Sequence, residues 1–313
     1  MDFCPNFKEC RLYLSVMSNE FSRVALVARR QDATVIDTVV AVRNVLAELG
    51  AELVYEQQTA AALGEQGIAV DQAIAQQDLA EHCDLCVVVG GDGSLLGVSR
   101  DIHRSDVPIV GVNRGGLGFL AAVSPEKLTE TLGAIWQGDF TLEDHFFLTA
   151  EVHSGDQVVA QGTALNDVVL HPGSLARMME FQLSVDDEFV YQQRSDGVIV
   201  ASPTGSTAYS LSAGGPIMHP SLDAIVIVPM FPHTLTSRPL VIRGDAVIRI
   251  AGDEEMQVSC DSQVNLPIGV GDQLVIRKSA KPLKLLYPLG HSFYESCRSK
   301  LDWASRLGGR DPS

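Results

Sequence analysis

Residues 87–96 read VVVGGDGSLL, and this stretch decides how the rest of the chain is arranged. From 83 to 89 the run is apolar apart from Asp84, and its three β-branched valines suit a short strand covered on both faces of a sheet. The chain breaks at Gly90 and Gly91. Two residues without Cβ let backbone N–H groups turn inward and approach a ligand, and they set Asp92 on a tight turn. Residues 94–104 then carry a helical pattern, and a helix that starts at a glycine turn offers unpaired N–H groups and the positive end of its dipole to an anion. The predicted unit is a phosphate-binding turn, Gly90, Gly91, Gly93 and Ser94, joined to one carboxylate, Asp92. The same string also fits a plain strand-to-helix turn with Asp92 as an ordinary turn residue. Two familiar phosphate loops are excluded: a dinucleotide fingerprint needs glycine at position 96, which is leucine, and a Walker loop needs Gly-Lys-Ser/Thr, but no lysine follows a glycine.

Outward from this stretch, strands alternate with helices. Residues 21–28 form a strand candidate, and 33–50 carry Val35, Val39, Val42, Leu46 and Leu49 at helical spacing. Strand 53–55, a helix over 59–63 and a polar helix over 71–81 precede the glycine turn. Strand 108–112 and a helix over 125–136, with Pro125 in its first turn, follow it. The alternation predicts an α/β N-terminal domain with a doubly wound parallel sheet over 21–140. After Gly138 short alternating runs appear at 146–152, 157–164, 167–171, 181–185, 188–193, 224–229, 246–251, 257–260 and 273–278. These predict a mostly antiparallel β-sandwich C-terminal domain over 141–290. Residues 202–215 interrupt it with a glycine-bounded turn and short helix, an insertion that marks a candidate site. Residues 292–307 read as a helix, with 291–313 expected to pack back on the first domain. Residues 1–20 are expected to be a disordered extension: they lack a signal-peptide h-region, and Met17 directly precedes the first strand.

With 313 residues, 46% hydrophobic and 20% charged, the chain has the profile of a soluble globular protein of two modest domains. No segment approaches the roughly 18 to 20 unbroken apolar residues of a membrane span, so no membrane partner is expected. The formal charge of −16 argues against a nucleic-acid partner, because phosphate backbones are met by positive surfaces. A bound phosphate must therefore be neutralised locally, by backbone amides, a few arginines and a divalent cation. The cysteines at 4, 10, 83, 86, 260 and 297 are too sparse for a disulfide scaffold and fit a reducing, cytoplasmic setting. Cys83 and Cys86 have CxxC spacing without a second pair, so they read as core thiols. His171, His219, His233 and His291 form no HxxxH or HExxH set, which predicts no metal fixed by protein side chains. Magnesium carried in with a nucleotide needs few protein ligands.

Three further constellations stand out. NRGGLGFL at 113–120 follows a strand at the same end of the sheet as the first glycine turn, so the two turns are expected to share a cleft. There Asn113 is expected to face the cleft and Gly118 to serve a tight crossover. Asn166 and Asp167, in ALND at 164–167, lie side by side; on a regular strand they would point to opposite faces, and a self-capped turn is the competing reading. SPTGSTAYSLS at 202–212 carries seven hydroxyl side chains, small donors suited to sugar hydroxyls or phosphates. A serine nucleophile is disfavoured there, since GxSxG is absent.

GGDGS at 90–94, NRGGLGFL at 113–120, ALND at 164–167, DGVIVASPTGSTAYSLSAGGPI at 196–217 and SRPL at 237–240 together resemble the NAD kinases, and CDSQ at 260–263 is similar to their proteobacterial branch. The resemblance spans residues 22–307. It implies ATP-dependent phosphorylation of the 2′-hydroxyl of NAD's adenosine ribose, giving NADP, with Mg²⁺ or another divalent cation accompanying ATP and a homodimer or homotetramer as the assembly. By the same resemblance Asp92 is the general base with Gly93 beside it, Asn166 and Asp167 contact NAD, and Asp196, Thr207, Ala208, Tyr209, Ser210, Leu211, Ser212 and Gln263 line the dinucleotide site. Arg177 and Arg194 belong to the same set, Arg194 at a position that accompanies ATP use. The chain departs from the commoner GGDGT, ALNE and DGQ; Asp167 is one methylene shorter than the glutamate of ALNE, a gap that a water can bridge. Two other classes compete: a diacylglycerol-type lipid kinase, which shares the GGDG turn but would need an apolar or basic membrane-facing patch, and a non-catalytic NAD(P)-binding sensor, which would be expected to have lost Asp92.

Overall fold

Buried strands followed by one-sided helices build the first half of the chain. In the computed structural model, which describes residues 21–29, 33–114, 118–173, 178–234 and 236–303, these are β1 (Arg23–Val27), α1 (Ala33–Glu48), β2 (Glu52–Glu56), α2 (Gln57–Glu65), β3 (Ala73–Ile74), β4 (Leu85–Val89), α3 (Asp92–Ile102), β5 (Ile109–Val112) and α4 (Leu128–Trp136). The strands lie parallel in the order β5-β4-β1-β2-β3. Val24 and Leu26 of β1 pack with Val35, Val39, Val42 and Leu46 of α1, while Ala25 and Val27 pack with Leu95, Val98 and Ile102 of α3. Both faces of the sheet are therefore dry, which is why its strands read as unbroken apolar runs. The order reverses between β1 and β4, and in open α/β sheets ligands sit at such a reversal, outside the carboxyl ends of the strands.

The second half contains β6 (Phe140–Ser154), β7 (Gln157–Ala164), β8 (Asp167–His171), β9 (Met179–Val185), β10 (Glu188–Ser195), β11 (Gly197–Ala201), α5 (Tyr209–Ser212), β12 (Ala224–Met230), β13 (Leu240–Arg243), β14 (Ile248–Gly252), β15 (Met256–Cys260), β16 (Val264–Ile268), β17 (Gln273–Pro288) and α6 (Phe293–Lys300). One antiparallel sheet runs β13-β12-β11-β8-β15-β16. It packs against strands of the larger sheet through a core in which Phe146, Leu148 and Ala150 meet Val168, Leu170, Val198 and Val200. Its other face presents Val169, Ile199, Val226 and Val228, which cluster with Met218 just beyond the hydroxyl-rich segment. The long strand β17 joins the halves: it is antiparallel to β6 and β14, yet pairs parallel to β5 where Leu285 meets Ile109. Phe293 of α6 stacks near Phe119, with ring centroids 6.1 Å apart.

The sequence reading differs from the structure in a few elements. Residues 71–81 form the two-residue strand β3 and a 3₁₀ turn at Gln76–Glu81 rather than a helix. They lack an apolar stripe at helical spacing, and β3 is fixed instead by pairing to β2 at the sheet edge. Strands β11, β13 and β16 are additional. Cys83 and Cys86 are free thiols; Cys86 is fully buried in β4, as expected of a core residue, whereas Cys83 precedes the strand and is half-buried. Residues 1–20, 304–313 and Arg177 lie outside the described residues. No helix among the described residues is long and apolar enough to cross a membrane.

Candidate active site

At the carboxyl end of β4 the chain turns through Gly90, whose φ is 153°. A Cβ there would lie 2.6 Å from Ser94 Oγ, so only glycine lets the turn close onto the start of α3. Asp92 is the first residue of that helix. Its carboxylate accepts three backbone N–H bonds from the second glycine-rich turn: Phe119 donates to Oδ2 at 3.0 Å, and Leu120 and Ala121 donate to Oδ1 at 3.2 and 3.1 Å. A carboxylate has about four lone-pair positions. Oδ1 is therefore filled and Oδ2 keeps one acceptor position. Gly118 does more than serve a crossover, because a Cβ on it would stand 2.4 Å from Asp92 Oδ1. Asn113 is buried, and its backbone N–H goes to Val123 O at 2.8 Å.

A cavity of about 530 Å³ opens beside the turn, lined by Arg29, Gly90, Gly91, Gly93, Ser94, Arg114 and Gln263 among others. Three parallel strands thus deliver residues to one cavity: Arg29 follows β1, the glycine turn follows β4 and Arg114 follows β5. Gln263, from the turn after β15, binds the two halves together. Its Nε2 donates to Gly93 O at 3.2 Å, and its Oε1 accepts from Arg29 Nη1 at 3.2 Å and Arg100 Nη2 at 2.8 Å. A Cβ on Gly97 would fall 1.5 Å from Arg29 Nη1, so the bare glycine in α3 makes room for the guanidinium. In a chain of formal charge −16, these three arginines concentrate positive charge at the turn.

Asn166 lies in a bend between β7 and β8 rather than on a strand, which frees it from strict alternation with Asp167. Asp261 holds that bend. With φ at 51°, it accepts N–H bonds from Leu165, Asn166 and Asp167 at 2.9, 2.8 and 3.3 Å, and Arg100 Nη2 stands 3.8 Å from its Oδ2. Asp167 is buried nearby. Desolvation above all, and then the charge of Asp261, push its carboxyl up to about 7, while the backbone N–H of Tyr209 works the other way. Burial pushes Asp261 up as well, against its three amide donors and Arg100.

The hydroxyl-rich segment docks on the same bend. Ser202 N–H donates to Asn166 O at 2.9 Å, and a Cβ on Gly205 would come 2.0 Å from that oxygen, so the contact requires glycine. His145 Nδ1 and Thr204 Oγ1 are hydrogen-bonded at 2.8 Å beneath it. Thr207, Ala208 and Leu211 are half-buried, and Tyr209 and Ser212 are exposed. Ser210 is fully buried, with no hydrogen-bond partner for its Oγ among the described residues. Tyr209 and Ser212 also border a second cavity of about 440 Å³, with Ala213, Met230 and Phe231. Arg194 and Asp196 are exposed and do not line the first cavity. Their backbones are tied to the end of β12 and its loop, Asp196 N–H to Met230 O at 3.0 Å and His233 N–H to Arg194 O at 3.1 Å. Gly93, Gln263, Arg100, Asp261, Asn166 and Asp167 are thus linked through short contacts, with Tyr209 N–H on Asp167, whereas Arg194 and Asp196 line neither cavity.

Sequence reasoning missed Arg29, Arg100, Arg114 and Asp261. Arg29 and Arg114 carried a usable signal, since each lies within two residues of the carboxyl end of a parallel strand. Asp261 and Arg100 carried none, because their partners are distant in the chain.

A parallel sheet with a glycine turn at its switch point, arginines around it and one amide-held carboxylate defines a nucleotide-binding protein that handles phosphate. The comparisons narrow the class. The chain belongs to the NAD kinase family: the models for the ATP-NAD kinase N-terminal and C-terminal domains match residues 24–140 and 165–287. It is 47% identical over 296 residues to an NAD kinase of Pseudomonas putida (strain W619), covering 93% of this chain and 99% of that one. An NAD kinase of Pseudomonas fluorescens (strain SBW25) is 47% identical over 293 residues, covering 92% and 98%. Among solved structures, a yeast NADH kinase complexed with NADH shares the fold at TM-score 0.82 and 22% identity, covering 93% of this chain and 90% of that one. An NAD kinase from Archaeoglobus fulgidus in complex with ATP matches at TM-score 0.69 and 26% identity, covering 90% and 98%.

Proposed function

We propose that this protein transfers the γ-phosphoryl group of ATP to the 2′-hydroxyl of the adenosine ribose of NAD, giving NADP, with Asp92 as the general base. The observation that carries the reading is the acceptor count at Asp92: three amides fix the carboxylate and leave one acceptor position, on Oδ2, in a residue flanked by Gly91 and Gly93 of the arginine-lined cavity. An alcohol is a weak nucleophile, and a carboxylate within hydrogen-bond reach contributes about 10² to 10⁴ in rate by taking its proton. As the ribose oxygen bonds to the γ-phosphorus, its proton passes to Asp92 Oδ2, the bond from phosphorus to the bridging oxygen breaks, and ADP leaves. Phosphoryl transfer asks the protein mainly for alignment and charge neutralisation. The backbone amides of Gly91, Asp92 and Gly93, with Arg29 and Arg114, supply these on the donor side, whereas the Gly90 and Ser94 N–H groups are taken by Val112 O and Gly91 O. Asn166, Asp167, Thr207, Ala208, Tyr209, Ser210, Leu211, Ser212 and Gln263 form the dinucleotide side.

The described residues gather no group of three or more His, Cys, Asp or Glu suited to hold a metal ion. Mg²⁺ would be carried by triphosphate oxygens and water, and would supply charge neutralisation at the phosphates. The working form is a cytoplasmic homodimer or homotetramer. The reading is tested by incubating the purified protein with NAD and ATP, with and without magnesium, and following NADP with a coupled dehydrogenase. Magnesium-dependent NADP formation is expected, with no phosphorylation of diacylglycerol; a preparation that binds NAD but makes no NADP would overturn it.

A further inference from the structure

At the other end of α3, about 15 Å along the helix axis from Asp92, lies a separate cavity of about 420 Å³. Four cations line it, Arg104, Arg277, Lys278 and Lys281, against one carboxylate, Glu151. Two of the four are compensated. Arg277 Nη2 stands 2.6 Å from Glu151 Oε1, and Lys278 Nζ stands 2.7 Å from Asp223 Oδ1 and 4.8 Å over the Phe146 ring. Arg104 and Lys281 form no salt bridge among the described residues.

Between Lys278 and Pro282 the pairing of β17 with β6 shifts, so that Ser279, Ala280 and Lys281 oppose the single residue Phe147. Such bulges re-aim side chains at functional positions. Lys281 Nζ then donates to Arg104 O at 3.0 Å, closing the bulge onto the turn after α3. The floor is polar, with Thr149 buried on β6 and Thr163 on β7 offering hydroxyls. Holding four cations together costs Coulomb energy that Glu151 and Asp223 only partly offset, and an anionic ligand would relieve it.

We propose that this cavity is a second anion site, outside the catalytic cleft, for a small molecule bearing a multiply charged phosphate group. Arg104 and Lys281 bind the ligand's phosphate oxygens directly, while Thr149 and Thr163 fix its orientation. The test is hydrogen–deuterium exchange of the full-length protein titrated with inorganic pyrophosphate, and separately with inorganic phosphate, read on peptides covering 103–105 and 277–281. In the wild type pyrophosphate slows exchange in both peptides, and more strongly than phosphate does. In Arg104→Ala/Lys281→Ala the concentration needed rises about tenfold or more, as expected for losing two charge-assisted contacts. The effect of pyrophosphate on the Gly90–Ser94 turn stays the same in both proteins, which separates this site from the catalytic cavity. Arg104→Ala alone, at an exposed position, repeats the test should the double variant fold poorly. Unaltered exchange at 277–281 in the wild type, or equal protection in wild type and variants, would overturn the proposal.

Discussion

Replacing Asp261 by Asn probes how the Asn166 bend, the proposed dinucleotide side of the cleft, is held. Its Oδ1 accepts from Asn166 and Asp167 and its Oδ2 from Leu165, with Arg100 near Oδ2. An asparagine can keep its oxygen toward Asn166 and Asp167, but its NH₂ then faces the Leu165 N–H, donor against donor. One orphaned buried N–H costs about 1 to 3 kcal/mol. The backbone adds nothing to that loss, since φ of 51° suits asparagine as well as aspartate. Removing the negative charge also removes one of the two causes that raise Asp167. Urea unfolding should therefore show a loss of about 1 to 3 kcal/mol, and KM for NAD should rise roughly tenfold as the Asn166 bend loosens, a binding loss of about 1.4 kcal/mol. An unfolding free energy within about 0.5 kcal/mol of the wild type, together with an unchanged KM, would refute the view that Asp261 positions the bend.

Further outcomes follow from the same geometry. Gly118→Ala sets a methyl 2.4 Å from Asp92 Oδ1, so kcat should fall roughly 10- to 100-fold through misplacement of Asp92, the proposed base, while the fold persists; steady-state kinetics with a circular dichroism melt check this. Asp167 has a folded pKa of about 7 against an ordinary 3.8, so the folded state binds the extra proton between those values and stability falls as pH rises from about 4 to about 7, at most about 1.4 kcal/mol per unit. Asp167→Asn, which can still accept the Tyr209 N–H, should flatten that slope in urea titrations at several pH values, and an unchanged slope would assign it to another group. Arg29→Ala should raise KM for ATP about tenfold, because its guanidinium lines the Gly90–Ser94 side of the cleft, and that for NAD by less, through the lost bond to Gln263; steady-state kinetics with each substrate varied check this.

The first sheet was legible because its strands are buried on both faces and its helices carry one apolar stripe, so burial wrote itself into the sequence of β1, β4 and α1. The glycine turn was legible for the same local reason, since Gly90 has to make room for Ser94. What lay beyond reach depends on partners far along the chain. Strand β17 was seen only to Lys278: Pro282 looks like a strand end, and the bulge before it conceals that pairing continues to Phe140. Strand β11 has no alternation because the hydroxyl-rich segment covers its outer face. Asp261 and Arg100 acquire meaning only when β15 docks beside α3. The hydroxyl-rich segment announced a site, but nothing local said that Gly205 would rest on Asn166.

The measurement that bears most directly on the mechanism is turnover and NAD affinity in Asp92→Asn. The substitution is not shape-neutral, since its NH₂ meets the Phe119 N–H that now donates to Oδ2, and a modest loss of stability, about 1 to 3 kcal/mol, accompanies it. NAD binding by calorimetry should stay within a few-fold of wild type, while kcat for NADP formation falls by about 10² to 10⁴. A variant that binds NAD normally and keeps kcat within about tenfold of the wild type would contradict the assignment of Asp92 as the base.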